Sequence, residues 1–161
     1  MNPPVRDGAL LVNLTLPTTT VRIGPLAFDG VQALLGAKLD DVLAPLMRGA
    51  RFQRPTPGGG LVDVFPLAIP EGEGMSIPVR LFGSIGFRNW QGMLVLIVPP
   101  AIAEVVLAQL TAEIAAGQAA GPRFGKDASG GIVAEFAVRL RPGMRKRVPL
   151  GTFGEFGVEA A

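Results

Sequence analysis

Gly59-Gly60-Leu61-Val62-Asp63-Val64-Phe65 returns 71 residues further on as Gly130-Gly131-Ile132-Val133-Ala134-Glu135-Phe136. In the same register Phe82-Gly83-Ser84-Ile85-Gly86-Phe87 falls on Phe153-Gly154-Glu155-Phe156-Gly157-Val158, and 9 of the 29 pairs from 59 to 87 are identical without a gap. Other pairs exchange one apolar side chain for another, among them Leu67/Val138, Ile69/Leu140, Ile77/Val148 and Val79/Leu150. A chain that repeats itself in this way has to bury the same apolar pattern twice, so the repeat constrains architecture before any single element is assigned.

Each copy reads strand, helix, strand, strand. Leu10–Leu16 alternates as a half-buried strand, and Val21–Phe28 is a second extended piece broken at Gly24-Pro25. Asp29 with Gln32 three residues on reads as a helix start. Val31, Leu34, Leu35, Lys38-Leu39, Val42, Leu43 and Leu46 then follow a 3.6-residue stripe, which Pro45 should end near Met47. A linker from Arg51 to Gly60 leads to strands Leu61–Ile69 and Ile77–Phe87. In the second copy Met93–Val98 is an apolar strand, and Pro99-Pro100 opens a helix whose stripe is Ile102, Val105, Val106, Leu110 and Ile114, with Gly117 as its stop. These five apolar positions match Val31, Leu34, Leu35, Leu39 and Leu43 at the same shift of 71. Gly121–Gly130 reads as a loop before strands Ile132–Arg141 and Val148–Val158 around a Pro142-Gly143 turn.

The expected fold class is therefore α+β: internally duplicated strand-helix-strand-strand units with two helices packed on a mostly antiparallel, curved sheet. Residues 1–161 form one pseudo-two-fold domain, with repeat 1 at about 10–88 and repeat 2 at about 92–159. Gly83, Gly86, Gly154 and Gly157 are expected to let the last strand of each copy curve over its helix.

Composition narrows the chemistry. His and Cys are both absent, which removes the commonest general base, the commonest metal ligand and the thiol nucleophile. None of Ser76, Ser84 and Ser129 sits in a Gly-x-Ser-x-Gly elbow, and Gly58-Gly59-Gly60 lacks the Gly-Lys-Ser/Thr ending of a phosphate loop. Asp40-Asp41 reads as a solvated helix face, and Asp63 with Glu135 falls one position out of repeat register. No catalytic, cofactor-binding or metal-ligating residues are assigned, no cofactor is expected, and the chain reads as a non-enzyme. A carboxylate-only enzyme using Mg²⁺ or Mn²⁺ is the last alternative.

Hydrophobic residues make up 48% of the chain and charged residues only 17%, so the apolar surplus must go into a core, an oligomer interface or a ligand cavity. The longest apolar run, Met93–Val98, is far short of the ~18 residues a spanning helix needs, and no transmembrane segment is expected. The start of the chain shows no signal-peptide pattern. That points to the cytoplasm or a virus-like particle.

Charge is where the copies diverge. Arg139-Leu140-Arg141-Pro142-Gly143-Met144-Arg145-Lys146-Arg147 carries five positive charges, whereas its counterpart from Ala68 to Ser76 carries only Glu71 and Glu73. The candidate interaction surface is therefore Arg139, Arg141, Arg145, Lys146, Arg147, Glu71 and Glu73. Equivalent turns of opposite sign are expected at opposite ends of the pseudo-symmetric unit, an arrangement that suits head-to-tail contact, and such contacts generate rings or filaments. The function read from this is a non-catalytic structural or assembly protein, a homo-oligomeric ring, tube, shell or virion component. The alternative is an apolar-ligand or lipid-binding module with a cavity between helices and sheet. The partner is the chain itself; an anionic lipid or an apolar ligand comes second. Nucleic acid is disfavoured, because no aromatic side chains interleave with the arginines.

Overall fold

The computed structural model describes residues 8–17, 20–23, 26–29, 39–79, 83–127, 130–149 and 155–161. It is mostly antiparallel β-sheet with two short helices among these residues. Strand β1 (Leu10–Pro17) precedes a small hairpin, β2 (Thr20–Ile23) and β3 (Leu26–Asp29). Helix α1 (Leu39–Leu43) runs into a 3₁₀ turn at Ala44–Leu46. There follow β4 (Phe52–Pro55), β5 (Leu61–Ile69), β6 (Gly74–Val79), β7 (Gly83–Trp90) and β8 (Met93–Val98). A 3₁₀ turn at Pro100–Ile102 opens α2 (Ala103–Ala115), and β9 (Ala119–Lys126), β10 (Ile132–Val138), β11 (Arg145–Pro149) and β12 (Glu155–Ala160) complete the chain.

Ten of these strands form two five-stranded sheets, with orders β11-β12-β1-β5-β4 and β6-β7-β8-β10-β9. The hairpin β6-β7 follows β5 in the chain yet leaves its sheet for the second one. The hairpin β11-β12 follows β10 and makes the reverse crossing. With β1, β4, β5, β6 and β7 exchanged for β8, β9, β10, β11 and β12, the first order reads as the second, whereas β2 and β3 form a two-stranded sheet of their own. Two ladders keep the shift of 71: in β6-β7 Ser76 pairs with Gly86 as Arg147 does with Gly157, and in β4-β5 Phe52 pairs with Val64 as Arg123 does with Glu135. The turns agree as well, with Thr56 N–H donating to Gly60 O at 2.9 Å and Asp127 N–H to Gly131 O at 2.8 Å.

One apolar cluster lies between the sheets. The first contributes Val12, Leu14, Leu16, Phe65, Leu67 and Ile69, the second Phe87, Leu94, Leu96, Phe136 and Val138, and the helical segments Leu43, Leu46, Val106 and Leu110. The alternation in β1 and β8 places these residues on one side of the pleat. Fully burying a side chain of this size contributes about 1.5–3 kcal/mol, so the shared cluster dominates the stability of the unit. Asn89, fully buried, ties the sheets together at one end: its Nδ2 donates to Gly8 O at 2.9 Å and to Ile69 O at 2.8 Å.

Several expectations are corrected here. A single curved sheet is replaced by two sheets that are not strongly curled. The crossing hairpins let the apolar faces of the two sheets cover each other, so neither has to wrap a helix. The linker at 51–60 holds the edge strand β4, and most of the edge strand β9 falls in the loop expected at 121–130. An edge strand needs a ladder on one side only, so it tolerates Pro55 and Pro122 and a largely exposed sequence that does not alternate cleanly. Asp29, expected as a helix cap, pairs with Thr20 at the end of β3. Residues 30–38, which hold the rest of that helix start and its first stripe positions, lie outside the described residues, as do Phe82, Ser129, Phe153 and Gly154.

The end of α1 matches the Pro45 signal, since Met47 returns to extended backbone. Helix α2 stops in a Schellman arrangement, with Gly117 at φ 73°, its N–H donating to Ile114 O and that of Gln118 to Glu113 O. Its buried face is Ala103, Val106 and Leu110, whereas Val105 is 50% exposed. The helix seats against β9, β10 and β11, which turns its contact face away from Val105. The recurring glycines permit close approach: a Cβ on Gly86 would stand 2.6 Å from Met75 O, and one on Gly157 would meet Thr15 and stand 2.7 Å from Arg145 Nε.

Candidate interaction surfaces

The turn bearing Glu71 and Glu73 joins the end of β5 to the start of β6, and the turn bearing Arg141 joins β10 to β11. Ladder registers fix where these turns lie. In the first sheet Ile69 pairs with Leu10, and Arg145 pairs with Glu159, which in turn pairs with Asn13. The end of β5, the start of β1, the end of β12 and the start of β11 therefore share one end of that sheet. In the second sheet Gly74 pairs with Arg88 and Val138 with Leu94, which puts the start of β6 and the end of β10 at one end as well. Both turns cross between the sheets at this same end, on opposite flanks. This corrects the expected placement at opposite ends. The reason is that β5 and β10 run toward the same end of their respective sheets before each hairpin crosses.

Glu71, Glu73, Arg139 and Arg141 are exposed there. The other three basic residues are not one continuous free patch. Alternation along β11 sends Arg145 and Arg147 to one face and Lys146 and Val148 to the other. Lys146, only 7% exposed, donates from Nζ to Gln109 O at 3.2 Å and is ion-paired with Glu113, both on α2. The hydrogen bond from Lys146 holds the Glu113 carboxyl below its ordinary value, against the opposing effect of burial. Gln109 also grips the strand backbone, accepting from Arg147 N–H at 2.8 Å and donating to Arg147 O at 2.6 Å. Helix α2 thus covers part of an edge that would otherwise offer open hydrogen-bonding groups. Arg145 runs across Gly157 and donates to Thr15 Oγ1 at 3.3 Å. Gln109 and Glu113 were missed in the sequence. Their i, i+4 spacing on one helix face beside a basic strand was the available signal.

The outer face of the second sheet carries a half-open cleft of about 270 Å³. Arg88 of β7 and Glu135 of β10 meet across β8 at 3.4 Å, and Arg123 of β9 stands opposite Glu135 in the ladder. Trp90, 53% exposed, forms one wall. Asp63 and Glu135 are not brought together: they lie in different sheets, and Asp63 accepts from Gln53 at 3.3 Å. Asp41 is exposed on α1, in keeping with a solvated face.

No match was found for this chain among protein-family models, curated proteins or solved structures. Among the described residues no helix is long and apolar enough to cross a membrane.

Proposed function

We propose that this chain is a non-catalytic assembly subunit that associates with itself through the end carrying the two charged turns. One observation carries the reading: Glu71 and Glu73 on one turn, and Arg139 and Arg141 beside the other, are exposed at the same end of the molecule on opposite flanks. A second copy related by a two-fold axis would set each acidic turn against the partner's basic turn, twice over. Such a contact is isologous and closes on itself, whereas turns at opposite ends would have propagated head to tail. A two-fold pair is thus the unit from which any ring, tube, shell or virion component would be built, with further faces joining the pairs. The internal duplication supports this reading, because equivalent turns with opposite charge are what make one end self-complementary.

Light scattering after size exclusion tests the proposal. The native chain should have the mass of a dimer at low salt and dissociate as salt screens the turns. Glu71→Arg/Glu73→Arg and Arg139→Glu/Arg141→Glu should each be monomeric, and mixing the two variants should restore a dimer. A monomer for the native chain at every salt concentration would overturn the proposal. A larger particle built from such pairs should likewise break down at high salt and in either charge-reversed variant, and one that neither affected would overturn the two-fold contact. The apolar-ligand or lipid alternative stands second, because Phe65, Phe136, Phe156, Leu67 and Leu96 fill the space between the sheets.

A further inference from the structure

We infer that the cleft on the outer face of the second sheet is a binding site for a small aromatic carboxylate. This does not depend on the assembly reading. Three features of the cleft select such a ligand.

The first is charge. Arg88 and Arg123 line the cleft against the single carboxylate of Glu135, which leaves one positive charge in excess. Arg88 is engaged with Glu135 at 3.4 Å. Arg123, exposed on the edge strand, has no ion pair among the described residues. Its planar fork suits a carboxylate, which it can hold through two parallel hydrogen bonds.

The second is shape. The floor is made of small or short side chains, Val95, Ala137 and the backbone at Gly121. Gly121 stands at φ 131°, and a Cβ there would come within 2.8 Å of Glu135 O. The glycine therefore admits a close backbone approach where the β9–β10 ladder shifts register between Glu135 and Ala137. This irregularity opens the depression beside the two arginines. At about 270 Å³ the space lies just below the ~300–1,000 Å³ typical of larger ligands, and suits one ring with its acid group.

The third is the wall. Trp90 is the only tryptophan of the chain and is 53% exposed at the cleft rim. Its indole offers a flat apolar surface against which an aromatic ring can stack. An aliphatic acid would leave that surface unused, and a neutral ring would leave Arg123 unpaired.

Trp90 also supplies the readout, since the chain has one Trp and no Tyr. Titration of the full chain with benzoate should give a saturable change in Trp90 fluorescence. Acetate and benzamide should bind at least about tenfold more weakly, since each lacks one of the two recognised groups. Arg123→Ala should weaken benzoate at least about tenfold with an unchanged far-ultraviolet circular dichroism spectrum, because Arg123 is exposed. Glu135→Gln should tighten benzoate by releasing Arg88 and removing a like charge. A native protein with no saturable response to benzoate up to about 10 mM would overturn the inference, because a charge-paired aromatic site should bind below that range. So would equal responses to benzoate and benzamide, undiminished binding in Arg123→Ala, or weaker binding in Glu135→Gln.

Discussion

Lys146 of β11 and Glu113 of α2 form an ion pair beneath the hairpin whose other basic residues face outward. The pair joins an edge strand of the first sheet to a helix that also packs on the second. Lys146→Ala should leave Glu113, whose side chain is only 16% exposed, without its cation and cost about 3 kcal/mol, whereas Lys146→Met paired with Glu113→Leu should cost much less. Urea unfolding followed by Trp90 fluorescence measures both.

The same pair sets a pH dependence. Glu113 has its pKa lowered in the folded chain by the hydrogen bond from Lys146. A carboxyl depressed on folding contributes stability that is present above its unfolded value and lost as pH falls through the folded one. The urea midpoint should therefore drop below about pH 4.5, the ordinary value of this carboxyl. Glu113→Gln should flatten that acid limb while lowering stability at neutral pH.

Gly157 holds open the path by which Arg145 crosses to Thr15. Gly157→Ala would place a methyl group against Thr15 Oγ1 and 2.7 Å from Arg145 Nε, which should cost about 1–3 kcal/mol through displacement of both groups. Thr15→Ala in the same chain should recover part of the loss. Additive costs in thermal unfolding would contradict this crowding of Thr15 and Gly157.

Asn89 joins the two sheets with its amide. Asn89→Ala should cost about 2–3 kcal/mol, because the carbonyls of Gly8 and Ile69 lose a buried donor and Gly92 N–H loses its acceptor. Chemical denaturation of the variant would show this as a lower midpoint with an unchanged slope.

Gln109 acts on the backbone of β11. Gln109→Ala should raise hydrogen exchange of the Arg147 amide by up to about tenfold, the equivalent of one net hydrogen bond. Amides of β12, which pair inside the sheet, should change little.

Much of this fold can be read from individual residues. Met93–Val98 is apolar throughout and becomes the central strand of its sheet, with Leu94, Leu96 and Val98 in the core and Met93 and Ile97 only half-buried on the other face. Pro45 and Gly117 mark helix ends that the structure keeps. The edge strands were hidden because a strand with one free side has no strict pattern: Phe52-Gln53-Arg54 and Arg123-Phe124 read as loop on periodicity alone. Lys146 was misjudged for a related reason. A lysine between Arg145 and Arg147 looks solvated until alternation along β11 and the arrival of α2 turn it inward.

The candidate surfaces divide in the same way. The opposite charges of the two turns are written in the chain, as are the absence of His and Cys and the shift of 71 that relates the copies. Those are local or compositional properties, and sequence determines them outright. Which end each turn occupies, which sheet receives each closing hairpin, and the meeting of Arg88, Arg123, Glu135 and Trp90 around one cleft were decided only in three dimensions. Strand order depends on how β5 and β10 hand their hairpins to the other sheet, and that choice is made by long-range burial of two apolar faces against each other, a contact that no local stretch of residues encodes.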